Sequence, residues 1–326
     1  MTNVAKLRWR IISPLAGLLV LGVVLWLWGG GPVWGAIASP VPDSTYPWWF
    51  WVLTLLCLTF VMGIVAVLGG VGGGVLFVPI VGGFFPFNLD FVRCAGLLVA
   101  LTGSLAAGPG LLRTGMADLR LALPVALIAS IGAIFGAMLG LALPAHIIQT
   151  SLGALILCIT AIMVMAKKSE YPVVKEMDAI ARLLGIQGTY KDLATDQVIS
   201  WKVHRTPMAF ITFIFIGIMA GMFGLGAGWA NVPVLNLMMG APLKVAVATS
   251  KFLLAITDTT AAWIYINNGA VLPLIVVPSI IGIIMGSWVG VGILARTRPT
   301  IIRYIVITVL LFAGLRSLLK GLGIWT

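Results

Sequence analysis

The sequence predicts an all-α polytopic membrane protein of about nine membrane helices, arranged as two inverted repeats. Two observations carry this prediction. Of the 326 residues, 61% are hydrophobic and 9% are charged, and the mean hydropathy is +1.14. Soluble domains carry about 25% charged residues, and one membrane crossing needs about 20 apolar residues. The second observation is a glycine-rich stretch that occurs twice, each time inside an apolar run.

The net charge of +11 does not indicate nucleic-acid binding. In membrane proteins excess Lys and Arg lie in cytoplasmic loops, whereas a nucleic-acid interface needs a basic cluster on a soluble domain. The three cysteines lack the paired spacing of metal or redox sites, and the two histidines are isolated. We therefore expect no enzyme activity, no metal, no cofactor and no nucleic-acid partner. We expect the protein to be embedded in a lipid bilayer.

Residues 1–46 are predicted to form a first membrane span and an outer loop. Basic residues precede an apolar run from Ile11 to about Trp28, a pattern that signal peptides share. The apolar core of a signal peptide has about 7–15 residues, and this run is longer. We prefer a retained span with a cytoplasmic N-terminus. A cleaved signal peptide is the alternative.

The first repeat is predicted over 47–166 and contains a glycine break directly after Leu68. Glycine costs about 1 kcal/mol in a helix interior and proline roughly 3 kcal/mol. The run from Gly69 to Gly74, followed by Pro79, therefore indicates a deliberate interruption of a membrane helix. Backbone that is not helical at membrane depth must be buried in protein or line a cavity. Further spans are predicted near 91–112, 121–142 and 146–166.

Residues 167–206 are predicted to be a cytoplasmic connector, because they form a long polar stretch. Apolar residues from Val173 to Leu184 recur at helical spacing and predict a short amphipathic helix there. The second repeat is predicted over 207–326. It has a broken element at about 207–241, followed by spans near 243–266, 271–294 and 299–322.

The two repeats superimpose without a gap at an offset of 154 positions, from Gly63 on Gly217 to Leu89 on Leu243. A pair of interrupted segments at matching positions indicates the binding site of a transporter built from repeats. Each repeat also has glycines at every fourth position, which we expect to pack against other helices. These glycines are Gly132, Gly136 and Gly140 in the first repeat, and Gly282, Gly286 and Gly290 in the second.

The distribution of basic residues predicts the topology. If each broken element enters and leaves on the same face as a re-entrant helix, or crosses twice as a discontinuous one, the connector and most basic loop residues fall on the cytoplasmic side, as the positive-inside rule requires. Each repeat then makes an odd number of crossings, so the two halves are inverted. Arg93, Arg316 and Lys320 remain on the other side. We expect Arg93 to be a charge at the membrane interface.

Polar residues within the predicted spans are concentrated in the second repeat. Lys244, Lys251 and Asp258 are seven residues apart and share one helix face. An ionisable group at membrane depth marks a substrate or ion path by default, although Lys251 and Asp258 can also form a structural ion pair. Lys244 is expected to reach the membrane surface.

Helix N-termini at the breaks attract anions. The predicted substrate-binding residues are Gly72, Gly73, Gly74, Gly226, Gly228, Asn231, Thr249, Ser250 and Lys251, with Asp258 as the proton-coupling candidate.

With both glycine motifs, the Val-Pro pair after each, and Ala248-Thr249-Ser250, the chain resembles the TauE/SafE family of sulfite and organosulfur-anion exporters. The resemblance covers about residues 50–320. It implies transport of a small anion such as sulfite, sulfoacetate or another sulfonate across the inner membrane. Three positions depart from the pattern of the second motif, namely Ala227, Trp229 and Asn231.

We therefore expect a secondary transporter for a small sulfur-containing anion in a bacterial or archaeal inner membrane. Outward transport and protons as the coupling ion are part of this expectation. An anion channel and a non-transporting membrane scaffold or accessory subunit are the alternatives, and a cation transporter is a weaker one. The sequence does not indicate an oligomeric state.

Overall fold

The structure is a computed structural model and describes residues 47–69, 72–113, 117–165, 172, 174, 176–192, 197–294 and 299–324. The predicted first span at 1–46 lies outside these ranges. In the described part, five helices are long and apolar enough to cross a membrane, and two shorter apolar helices accompany them. The predicted all-α polytopic membrane character is confirmed. The number of spans stays a prediction.

The described helices follow the predicted order in both halves. The first half contains α1 (Trp48–Gly69), α2 (Gly73–Phe84), α3 (Leu89–Arg113), α4 (Leu119–Ala142) and α5 (Ala145–Met165). The second half contains α7 (Thr206–Phe223), α8 (Gly228–Pro233) with a π-helical turn at Val234–Met238, α9 (Leu243–Asn267), α10 (Pro273–Leu294) and α11 (Pro299–Gly321). The short helix α6 (Ala179–Leu183) lies between them.

The connector departs from the predicted amphipathic helix. Only Ala179–Leu183 is helical in its described part, because Gly185 adopts a left-handed conformation (φ 62°) and ends the helix. The chain then forms an antiparallel hairpin of β1 (Gln187–Asp192) and β2 (Gln197–Lys202). Hairpin residues such as Tyr190 and Trp201 are buried in one cluster with residues of α4 and α7. The sequence prediction missed this hairpin.

The first broken element returns to the end of the bundle from which it starts. Trp51, in the first turn of α1, packs on Phe85 and Phe87, which follow the last turn of α2, with ring centroids 5.7 and 5.5 Å apart. The chain therefore runs inward along α1 and back along α2. We call this end of the bundle the tryptophan end.

The second broken element makes the same return at its own starting end. The backbone N–H of His204, just before α7, donates to the carbonyl oxygen of Met239 at 3.0 Å. Met239 directly follows the π-helical turn. The hairpin residue Trp201 lies in the same stretch of chain as His204, so we call this the hairpin end.

The two halves begin at opposite ends of the bundle. From the tryptophan end, α3, α4 and α5 each cross once. The contacts agree with this path, since Arg93 at the start of α3 donates to the carbonyl oxygen of Gly140 at the end of α4. Gln149 at the start of α5 donates to the carbonyl oxygen of Gly82 near the end of α2. This is the arrangement that the inverted-repeat prediction requires.

The regularly spaced glycines form two helix seams, as predicted. A Cβ added to Gly132, Gly136 or Gly140 of α4 would collide with backbone of α7. A Cβ added to Gly282 or Gly286 of α10 would collide with α1, and one added to Gly290 would lie 3.1 Å from the backbone of Ile64 in α1. In each seam the second crossing helix of one half packs on the first helix of the other half.

We expect Gly136→Ala to lower the midpoint of thermal unfolding, because the added methyl group would overlap the carbonyl oxygen of Ile218. Overpacking of this kind costs about 1–3 kcal/mol. Gly108→Ala is the matched control, since its methyl group would meet only Phe252, at 3.9 Å, and alanine favours the helix. The check is the unfolding midpoint of both purified variants in one detergent. Equal midpoints would contradict a tight seam.

Candidate functional site

The two glycine breaks cross inside the bundle. Gly72, which precedes α2, lies against Gly228, the first residue of α8: a Cβ added to Gly228 would be 2.8 Å from the Gly72 nitrogen. A Cβ added to Gly74 would clash with the carbonyl oxygen of Leu225. Gly73 faces Val99 and Ile283 instead. The absence of side chains at Gly74 and Gly228 is what allows the two irregular segments to touch.

One face of α9 lies beneath this crossing. The side chain of Leu254 would be within 3.6 Å of a Cβ added to Gly72, Gly226 or Gly228. Lys251 comes one turn before Leu254, and Asp258 comes one turn after it, so all three residues share this face. The two ionisable groups therefore lie on either side of the crossing, about 10 Å apart along the helix axis.

Asp258 lies against the second break and is completely buried. Gly226 has a φ of 69°, a conformation that favours glycine, and a Cβ there would be 2.8 Å from Asp258 Oδ2. Neither carboxyl oxygen of Asp258 has a hydrogen-bond partner within the described ranges. Buried polar groups are normally paired, so this carboxyl group is available for a ligand or a proton.

Lys251 is 7% exposed, and no described residue accepts a hydrogen bond from its ammonium group or forms an ion pair with it. The structural bridge to Asp258 that the sequence left open is therefore not formed. Lys244 is exposed near the start of α9, as expected for a residue that reaches the surface.

The other predicted polar residues differ in their surroundings. Asn231 is buried, and both polar atoms of its side-chain amide lack partners among the described residues. Ser250 is buried beside Lys251. The hydroxyl oxygen of Thr249 accepts a hydrogen bond from the backbone N–H of Asp118 at 3.2 Å. Because the carboxylate of Asp118 also caps α4, Thr249 ties α9 to the start of that helix.

Sequence reasoning missed two buried groups close to these residues. The Nε1 of Trp229 and the hydroxyl of Thr257 are buried without partners in the described part of the chain. Trp229 follows Gly228 at the crossing, and Thr257 precedes Asp258. The only sequence signal for Trp229 was its departure from the aliphatic pattern of the second glycine motif.

Arg93, which we expected to be a charge at the membrane interface, is buried among helices near the tryptophan end. It is 1% exposed, pairs with Asp90, and donates to the carbonyl oxygens of Gly140 and Met222 at 2.9 and 3.0 Å. Its guanidinium carbon lies 5.5 Å from the ring centroid of Tyr265. Arg93 thus joins α3, α4, α7 and α9 at the tryptophan end. A planar group with five donors suits this position because it can bind several carbonyl groups at once.

The helix lengths, the crossed breaks and the buried ionisable groups beneath them define a polytopic membrane transporter. The family model described as "Sulfite exporter TauE/SafE" matches residues 55–317, and the chain belongs to this family. A similar relative is the "Probable membrane transporter protein YunE" of Bacillus subtilis (strain 168), 24% identical over 275 residues that make up 82% of this chain and 97% of the relative. No solved structure gives a significant match.

Membership of a transporter family agrees with the expectation that the chain is not an enzyme. It also implies a small anionic substrate and a bilayer as partners. Within the described ranges, no group of three or more His, Cys, Asp or Glu side chains could hold a metal ion.

We expect Gly228→Ala to destabilise the protein far more than Gly72→Ala, although the two glycines face each other. The methyl group at position 228 would meet backbone at 2.8 Å, whereas the one at position 72 would meet the flexible end of Leu254 at 3.6 Å. Backbone cannot move aside as a side chain can. Size-exclusion profiles after a temperature series would measure both variants. Equal losses would show that the breaks do not cross in this way.

Proposed function

We propose that this protein is a secondary transporter that exports a small sulfur-containing oxyanion, such as sulfite, sulfoacetate or a related sulfonate, with protons as the coupling ion. The proposed membrane is the inner membrane of a bacterial or archaeal cell. The observation that carries this proposal is that Lys251 and Asp258 are both buried on the α9 face beneath the crossed breaks, and that neither pairs with any residue the structure describes. A charge held in such surroundings without a partner is costly, and binding of an anion would offset that cost.

In this proposal Lys251 supplies the positive charge for the anion. Ser250 and the amide group of Asn231 supply hydrogen bonds, and the hydroxyl of Thr249 contributes while it also accepts from Asp118. The N-terminus of α2 follows Gly72, has no side-chain cap, and adds backbone donors beside Gly73 and Gly74. A sulfonate or sulfite offers three oxygens, which suits a site with one charge and several neutral donors.

Asp258 is the proposed proton carrier. Its carboxyl group and Lys251 are on opposite sides of Leu254, so they do not neutralise each other directly. A change in the protonation state of Asp258 would change the charge in the region of the crossing by one unit and so change the affinity for the anion held by Lys251. The inverted halves supply two related conformations, each open to one side, which alternating access requires.

The first test is flux into proteoliposomes of sulfite, thiosulfate, sulfoacetate and taurine, with and without an imposed pH gradient. We expect saturable flux of at least one of the three anions sulfite, thiosulfate and sulfoacetate. In Lys251→Met the flux should fall about tenfold or more, because hydrogen bonds to charged groups contribute about 1.5–3 kcal/mol. Lys244→Met is the matched control on the same helix face, and its flux should stay unchanged. Undiminished flux in Lys251→Met would remove this residue from the site, and flux that never saturates would identify a channel.

The second test separates coupling from binding. We expect Asp258→Asn to keep anion exchange in the absence of a gradient but to lose the acceleration that a pH gradient gives, since an amide group cannot carry the proton. Glu176→Gln changes an exposed carboxylate of the connector and serves as the control. Acceleration by the gradient that persists in Asp258→Asn would assign coupling to another group.

A further inference from the structure

An apolar groove lies on the surface of the bundle near the tryptophan end, between α1, α2 and α11. Its volume is about 500 Å³, and its lining is almost wholly apolar, including Leu58, Ile80, Phe84, Phe312 and Ala313. The rings of Phe84 and Phe312 stack with centroids 5.9 Å apart, and both rings are exposed, at 40% and 63% of their surface. In a membrane-spanning bundle such a surface faces lipid chains.

Two basic side chains lie at the edge of this groove. Arg316 Nε donates to the carbonyl oxygen of Gly83 at 2.8 Å, and its guanidinium carbon lies 4.0 Å from the centroid of the Phe84 ring. Lys320 Nζ donates to the carbonyl oxygen of Gly82 at 3.2 Å. Both residues therefore bind the last turn of α2, directly beside the groove.

The positive charge of Lys320 exceeds what the end of α2 can balance. A helix C-terminus carries about half a negative charge, against one full positive charge on Lys320. Arg316 and Lys320 are four positions apart on α11, a spacing at which like charges repel. Within the described ranges no carboxylate forms an ion pair with Lys320. An ammonium group has three donors, and one of them is used by Gly82.

Along the membrane normal, Arg316 and Lys320 lie at the level of the lipid headgroups. Trp48 and Trp49 at the start of α1 are 68% and 52% exposed, and exposed tryptophans typically mark the membrane interface. Trp51, from the same turn, contacts Phe85 beside the groove. The edge of the groove is therefore cationic at headgroup level, and its interior is apolar at the level of the acyl chains.

We propose that this groove binds an anionic phospholipid, with an acyl chain along Phe84 and Phe312 and the phosphate against Lys320 and Arg316. The assignment does not depend on the transported substrate. Because the bound lipid contacts the last turn of α2, it stabilises the half-helix whose first residues, Gly73 and Gly74, lie at the crossing. The lipid site and the substrate site are thus at opposite ends of one 12-residue helix.

The test is native mass spectrometry of the full-length protein with equal amounts of phosphatidylglycerol and phosphatidylcholine that carry the same acyl chains. We expect one phosphatidylglycerol to be retained preferentially. In Lys320→Gln the preference should fall about fivefold, the effect of roughly 1 kcal/mol for one basic residue near the surface. Lys244→Gln, which removes an exposed charge near the hairpin end, should keep the preference.

A second variant tests the groove without changing a charge. Phe312→Ala removes an exposed ring, so its fold should persist, and both lipids should be retained less. The thermal midpoint of the wild-type protein should rise with phosphatidylglycerol and not with sulfate at equal charge, which separates a lipid from a free anion. Equal retention of both lipids, a preference that survives Lys320→Gln, or a lipid-free dimer that occupies the groove would each overturn the proposal.

Discussion

The contact on which the rest of the structure depends is the crossing of two irregular backbone segments at Gly72 and Gly228. Irregular backbone at membrane depth must be covered by protein or open into a cavity, and here each break covers the other. Only glycine permits this approach, because a single added carbon at position 228 would collide with the backbone of position 72. The crossing then determines which face of α9 is covered, and so where Lys251 and Asp258 lie.

The two breaks could be predicted from the sequence because glycine and proline are costly inside a helix. Glycine and proline clusters inside apolar runs, at the same offset in both halves, have few other physical explanations. The β1–β2 hairpin could not be predicted in the same way. Its strands are short, polar at several positions, and stabilised by the burial of Tyr190 and Trp201 among α4 and α7. Such long-range packing leaves no local periodic signal.

Arg93, Arg316 and Lys320 show why charge patterns alone mislead at the level of single residues. They are the three basic residues that the positive-inside rule leaves on the unexpected side. In the structure each one donates to main-chain carbonyl oxygens at the tryptophan end: Arg93 to two helices, and the other two to the end of α2. Their positions follow from the need to satisfy carbonyl groups where helices end inside the protein. They therefore carry little information about membrane orientation.

The two glycine seams have a consequence for how such a molecule can move. Each seam joins a helix of one half to a helix of the other, α4 to α7 and α1 to α10. The two halves are therefore interleaved and do not pack as separate units. A rigid-body rotation of one half relative to the other would separate the packed helices of both seams. The groups of helices that can rotate as rigid bodies therefore each contain helices from both halves. One group packs around α1 and α10, and the other packs around α4 and α7. A plane that divides the molecule between these two helix pairs thus does not separate the first half of the chain from the second.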